Sequence, residues 1–388
     1  MSMSPTDVRS TDAPPAPAPG ESEALAPRSN EPELVIKPRK GWIAVDWREL
    51  LSHRELLFFL IWRDVKVKYK QAILGFAWAI FVPLISVSLF TFIGKAAGFD
   101  SKVNGEVTLT DGQVLRGAVT HIPDGWLVHQ ADGTDRIVPL KITASKTEAA
   151  VTRTDGTVYE GKVTPLSEAW TVRPKHGPLI TVTPAQVAST KLIPYSVFVY
   201  AGMLPWLFFQ AAIVGGGMSL VSQQNLLSKI YMPRLFMPTA TIGSALIDMG
   251  LSALVFGGMM LVYHFSPSPR IWAVLPLLLL SIVGGLGISY LLSALTVNFR
   301  DMRFLIPFFS QVLMWLSGAM YPPRIFGDQE YLLAISPIYG VITGFRSAIL
   351  GDPWNWFALS IATIEIAFLF VFGLFYFKRA ERRFADIA

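Results

Sequence analysis

The stretch 54–94, RELLFFLIWRDVKVKYKQAILGFAWAIFVPLISVSLFTFIG, constrains the fold more than any other, because it passes without a break from a basic segment into an apolar one. Arg63-Asp64-Val65-Lys66-Val67-Lys68-Tyr69-Lys70 sets four cations against one anion and belongs in water or among anionic headgroups. Ala72 to Gly94 carries no charge and can span a bilayer at ~1.5 Å per residue. Cytoplasmic flanks are enriched in Lys and Arg, so Lys70 is expected inside and Gly94 outside.

Composition supports the same solvent. Of the 388 residues 52% are hydrophobic and 16% charged, and long uncharged runs recur, so the bilayer rather than water surrounds much of the chain. There are no cysteines, which removes disulfides, thiolate metal sites and Cys nucleophiles together. The net charge of +5 could suggest nucleic acid, but most cations flank apolar spans, which membrane orientation explains. Residues 1–35 hold no apolar core, so no signal peptide is expected there. The Pro-rich segment 1–40 reads as a disordered cytoplasmic tail.

The expected fold is an α-helical polytopic membrane protein. It has six transmembrane helices, an N-terminal interfacial helix, re-entrant helices, and an inserted mainly-β extracytoplasmic domain of two repeated small barrels. Segment 41–98 would hold the interfacial and gate helices with the first span. Between Trp47 and Trp62 the residues Trp47, Leu50, Leu51, Leu57, Phe58 and Ile61 fall near one helical face, which suits an interfacial helix. Further spans are expected at Tyr195–Val221, Met237–His264, Ile271–Val297, Leu305–Met320 and Trp354–Phe377. The stretch 321–353 is too apolar for an ordinary loop and too broken for a span, so it reads as a re-entrant pair. Asp328 and Pro337 are its expected helix starts.

The insert, 99–192, contains an internal repeat with an offset of 44 residues. VTLTDGQVLRGAVT from Val107 aligns with VTRTDGTVYEGKVT from Val151, and Trp126 falls on Trp170. Asp111-Gly112, Asp132-Gly133 and Asp155-Gly156 are hairpin signals. Two small modules, about 103–146 and 147–190, are therefore expected.

Catalytic chemistry is absent from the pattern. No G-x-x-x-x-G-K-[ST] occurs, the five histidines are scattered, and neither HExxH nor GxSxG is present, so no catalytic or metal-ligating residue is assigned. Asp248 and Glu365 lie inside expected spans, where a carboxylate is costly. Each either hydrogen-bonds a neighbouring helix and fixes packing or belongs to a proton relay. Aromatics crowd the outer stretch at Tyr321, Phe326, Tyr331, Tyr339 and Phe345, and the second span at Trp206, Phe208 and Phe209. They form either interfacial belts or a path on which sugar C–H faces stack.

Motifs along the chain then point to a family. They are Trp62-Arg63-Asp64-Val65-Lys66-Val67-Lys68-Tyr69-Lys70-Gln71, Leu74-Gly75, Ala201-Gly202-Met203-Leu204-Pro205-Trp206, Lys229-Ile230-Tyr231-Met232-Pro233-Arg234, Asn298-Phe299-Arg300-Asp301 with Pro307-Phe308, and Gly344-Phe345-Arg346. Over residues 40–98 and 193–388 the chain resembles the permease subunit of type 2 ABC exporters of O-antigen, capsular polysaccharide and teichoic acid. The resemblance implies a homodimer joined to two copies of a separate ABC ATPase, which binds ATP and Mg, so that this chain is a transport subunit and not an enzyme. It implies export of a lipid-linked polysaccharide across the bacterial inner membrane, with both termini cytoplasmic and residues 99–192 outside.

Site residues follow from the same resemblance. A gate helix and its loop fall on Arg63, Asp64, Lys66, Lys68, Tyr69, Lys70, Leu74 and Gly75, the helix itself on Asp64 to Gln71. A coupling segment for the ATPase falls on Gln223 to Arg234, with Asn225, Lys229, Tyr231, Pro233 and Arg234. The translocation path and exit fall on Trp206, Tyr321, Tyr331, Tyr339, Phe345 and Arg346, with re-entrant helices over Asp328 to Leu350. The insert departs from the family pattern, as does Ser317-Gly318-Ala319-Met320-Tyr321-Pro322, where members usually show a Ser-Pro. An exporter of another lipid or drug, or a membrane sensor with ligand-binding β modules, are the alternatives.

Overall fold

The computed structural model describes residues 51–70, 77–97, 104–129, 135–139, 143–146, 150–153, 158–160, 162–173, 180–182, 187–227 and 232–381. The tail 1–40, Leu74, Gly75, Lys229, Tyr231, and the turns at Asp132-Gly133 and Asp155-Gly156 lie outside them.

Helix α1, Arg54–Lys70, is followed by α2, Ala77–Ala96. After the insert, α3 runs from Tyr195 to Ser222 and carries a π-helical turn at Ala212–Gly216. A short α4, Gln224–Leu227, precedes α5, Phe236–Val262. Then come α6, Val274–Asn298, α7, Met302–Leu316, α8, Pro337–Leu350, and α9, Trp356–Glu381. Residues Pro323–Ile335 form 3-10 turns rather than the helix expected from Asp328, with Pro323 at the start.

Helix α3 is the axis of the bundle. In its most apolar stretch 78% of residues are buried, against 22% for α5 and for α9, which turn most of their surface outward. Since lipid tails are as apolar as Leu, helices in a bilayer gain little from hiding apolar surface and associate by close packing. The α6–α9 pair shows this. A Cβ added at Gly287 would lie 2.7 Å from the backbone of Phe370, and one at Gly373 would strike the carbonyl of Gly287. The π-helical turn in α3 is also secured by α6, because Ser289 Oγ donates to the Ala212 carbonyl at 2.9 Å. An extra residue in a helical turn frees a carbonyl, and at membrane depth a side chain has to satisfy it.

Among the described residues four helices are long and apolar enough to cross a membrane, α3, α5, α6 with its preceding turn, and α9. A fifth is counted if the pair Gln329–Ile335 and Pro337–Leu350, bent by 112°, is taken as one span. The expected first and fifth spans are shorter: the apolar part of α2 is Ile80–Ala96 and α7 has 15 residues. The described parts of the interfacial and gate helices, expected as separate pieces, are one continuous helix through Arg63, because Arg54–Lys70 contains neither Gly nor Pro to break it, while Trp47, Leu50 and Gln71 lie outside the described residues. Leu60, Val65 and Tyr69 are buried against the bundle, whereas Phe58 is exposed.

The insert keeps its repeat strand for strand. Strands β1, Asn104–Leu109, β2, Val114–His129, β3, Asp135–Pro139, and β4, Thr143–Lys146, recur as β5, Ala150–Arg153, then β6, Val158–Glu160, with β7, Lys162–Arg173, then β8, Ile180–Val182, and β9, Val187–Leu192. Asp111-Gly112 makes the expected hairpin, with Gly112 at φ 84 and Asp111 Oδ1 accepting from the Gln113 amide at 2.9 Å. Two separate barrels do not form. Strand β2 pairs antiparallel with its own copy β7 from Ala118↔Arg173 to His129↔Lys162, so one sheet runs β8-β7-β2-β1-β9 with β3 beside β2. The closing strands are exchanged as well. The first copy's β1 pairs with the second copy's β9, as β5 pairs with β4, and the equivalent pairs Val107↔Thr190 and Val151↔Lys146 keep one register. Even the register shift recurs, at Thr108/Leu109 on one pair and Thr143/Ser145 on the other. Copies that pair about a local twofold present matching edges to each other, so the duplication itself supplies the partner strand each module lacks.

Candidate functional site

In the expected orientation the inner end of the bundle is the one remote from the insert, and there α1 lies along α5. Ile61 packs where α5 has no side chain, since a Cβ on Gly243 would lie 2.5 Å from Ile61 Cδ1. Two turns further, Tyr69 Oη and Lys68 Nζ both donate to the Asp248 carboxylate. Asp248 stands ~18 Å into α5 from Phe236 at the helical rise, so the basic end of α1 reaches well into the bundle. The intramembrane acid thus has charged and hydroxyl partners that its own span does not reveal. Burial, with the hydrogen bond and charge of Asp248, raises the Tyr69 pKa above its ordinary value, so the hydroxyl remains a donor.

The same helix touches the segment assigned to coupling. Arg63 holds Asp64 at 2.6 Å and also donates to Gln223 Oε1, at the inner end of α3. Arg234, at the other end of that segment, donates to the Glu381 carbonyl at the end of α9 at 2.9 Å. Pro233 is buried beside it, and Asn225 lies in α4. Lys66 sits 5.6 Å from the Trp62 ring on the outer side of α1, and Lys70 ends the helix exposed. Between α1, α2, α3 and α5 lies a cavity of about 340 Å³ lined by Lys68, Tyr69, Asp248, Trp78, Pro83 and Phe208.

At the outer end, one residue organises the turn after α7. Arg346, 2% exposed, projects from α8, donates to the carbonyls of Gly318 at 2.8 Å and Ala319 at 2.7 Å, and lies 3.8 Å from the Phe198 ring centre. Tyr195 Oη donates to the next carbonyl, Met320, at 2.8 Å. The segment Ser317 to Pro322, which departs from the family pattern, is therefore held by three consecutive carbonyls. Gly318 turns the chain at φ 66, and Gly202 makes room for the guanidinium, since a Cβ there would lie 2.5 Å from it. Tyr321 donates to the Trp315 carbonyl, and Tyr339 to Glu330 Oε1 at 2.9 Å.

The residues expected to line a path separate into two groups. Trp206, Tyr339 and Phe345 are completely buried between helices, while Tyr331 is exposed. Phe198, Gly202 and Tyr195 were not singled out for the outer end by residue type. The available signal was a glycine inside an apolar span, since a span interior needs one only where another group comes close. Glu365 Oε2 is buried on α9 without a hydrogen-bond partner, so the expected bond to a neighbouring helix is not seen for that atom.

The fold is that of a multi-pass helical membrane protein, and the helical core from the end of the insert through α8 carries a family signature. Residues 177–350 match the ABC-2 type transporter family, a stretch that runs from the end of the insert to the end of α8. Among curated proteins it is similar to the O-antigen export system permease protein RfbA of Myxococcus xanthus, 24% identical over 156 residues, 39% of this chain and 60% of that one. It is also similar to RfbA proteins of Klebsiella pneumoniae, 21% identical over 195 residues, 50% of this chain and 75% of theirs.

Proposed function

We propose that the chain is the permease of an ATP-driven exporter that moves a lipid-linked, O-antigen-like polysaccharide outward across the inner membrane. The observation that carries this reading is the double attachment of α1. Arg63 binds Gln223 at the inner end of the bundle, and Lys68 with Tyr69 binds Asp248 deep in α5. A push on the Gln223–Arg234 segment by an ATPase would reach membrane depth through one rigid helix. The similarity to RfbA permeases supports the class of cargo.

In this reading two copies of the chain assemble with two ATPase subunits, which bind ATP and Mg. Six crossings, with α2 and α7 as the short ones, leave both termini in the cytoplasm and residues 99–192 outside. Deleting the gene should abolish a surface polysaccharide while its lipid-linked precursor accumulates inside. Unchanged surface polymer without accumulation would refute it.

A further inference from the structure

On the outer side, α8, residues 351–355 and the start of α9 enclose a second cavity of about 350 Å³. That is the low end of the range for small-molecule sites. Its lining combines aromatic, acidic, amide and guanidinium groups. Trp354 and Trp356 stack with ring centres 5.4 Å apart and planes 25° from parallel. Beside them stand the carboxylates of Glu330 and Asp352 and the amide of Asn355. Glu330 Oε1 is oriented by Tyr339 Oη at 2.9 Å and Asn355 Nδ2 at 3.4 Å. Arg346 forms part of the wall, and its Nε is buried with no hydrogen-bond partner, although its terminal nitrogens are both engaged.

A membrane-interface belt accounts for an exposed indole such as Trp356, 65% exposed, but not for two acids, an amide and a guanidinium gathered beside it. A purely structural attraction of charges accounts for Arg346 and Asp352 in one lining but not for the stacked indoles. A sugar ring matches all of them. Its C–H face covers an indole, its hydroxyl protons go to carboxylates, and its oxygens accept from Asn355, while Arg346 contributes positive charge to the wall. Charge narrows the class: two carboxylates oppose one guanidinium, so a uronic acid would meet net repulsion.

We propose that this cavity is a binding subsite for one uncharged sugar unit of the exported polymer. The inference rests on the export reading and deepens it. The test uses the full chain in lipid nanodiscs, with maltotriose and trigalacturonate as probes and saturation-transfer NMR as readout. Maltotriose should bind and trigalacturonate should not. Trp354→Ala and Asp352→Asn should each weaken maltotriose roughly tenfold, while Trp354→Phe, which keeps a ring, should retain it and serve as the folding control. No maltotriose signal, binding unaffected by both substitutions, or equal binding of the acidic probe would overturn the subsite. If gene deletion abolishes surface polymer while the subsite fails, the export reading stands alone; if deletion leaves the polymer intact, the export reading itself fails.

Discussion

The two ends of the bundle are held by opposite kinds of contact. Outside, a buried guanidinium donates to two neutral backbone carbonyls, under a phenyl ring and against a glycine. Inside, an exposed Lys68, 55% accessible, shares one carboxylate with Tyr69. Lys68 lines the open cavity between α1, α2, α3 and α5, and exchange of partners is easier where other polar groups can compete. It is costly where none do, since each orphaned buried group costs about 1–3 kcal/mol. The outer turn is therefore a fixed reference, and α1 is the element that can leave its seat.

Substitutions should separate the two ends, and the largest effect belongs outside. Arg346→Ala orphans two carbonyls and empties a packed volume, so thermal unfolding in detergent should show a loss of about 1–3 kcal/mol per carbonyl. Arg346→Lys should recover only part, having no planar fork to bridge Gly318 and Ala319. Next in size, Gly243→Val should push Ile61 and α1 off α5, raising protease cleavage within 54–70 while α3 to α9 remain folded. Asp248→Asn should change export more than stability. It leaves an acceptor for Tyr69 but no charge for Lys68, so melting should shift little while surface polymer falls. Smallest of all, Lys68→Ala alone should shift melting least, because Tyr69 still donates to Asp248. A large destabilisation there would erase the contrast between the ends.

How much of this was legible depended on the range of the interaction. Spans, the basic flank and the duplication are local or periodic, so α3, α5, α6 and α9 and the matching strands of the insert follow from the residues in order. The outer bend was readable from Pro337 and the apolar content around it. Contacts between distant segments were not. Nothing near Asp248 in the chain announces Lys68 and Tyr69, 180 and 179 residues away. Nor does the repeat reveal that β1 would take β9 as its partner rather than β4, because both have the same strand pattern and only the pairing of β2 with β7 decides it. The buried roles of Trp206, Tyr339 and Phe345 were hidden for a related reason: an aromatic in an apolar stretch reads alike whether it faces a path, lipid or another helix.

The chain has no cysteine, which leaves a clean background for fixing α1 in place. Ile61 and Gly243 approach closely enough for a disulfide once both are replaced. In the Ile61→Cys, Gly243→Cys protein, oxidation should stop appearance of surface polymer and dithiothreitol should restore it, because α1 has to leave α5 for cargo to pass. Full export from a completely cross-linked protein would contradict a moving α1 and make it a static anchor.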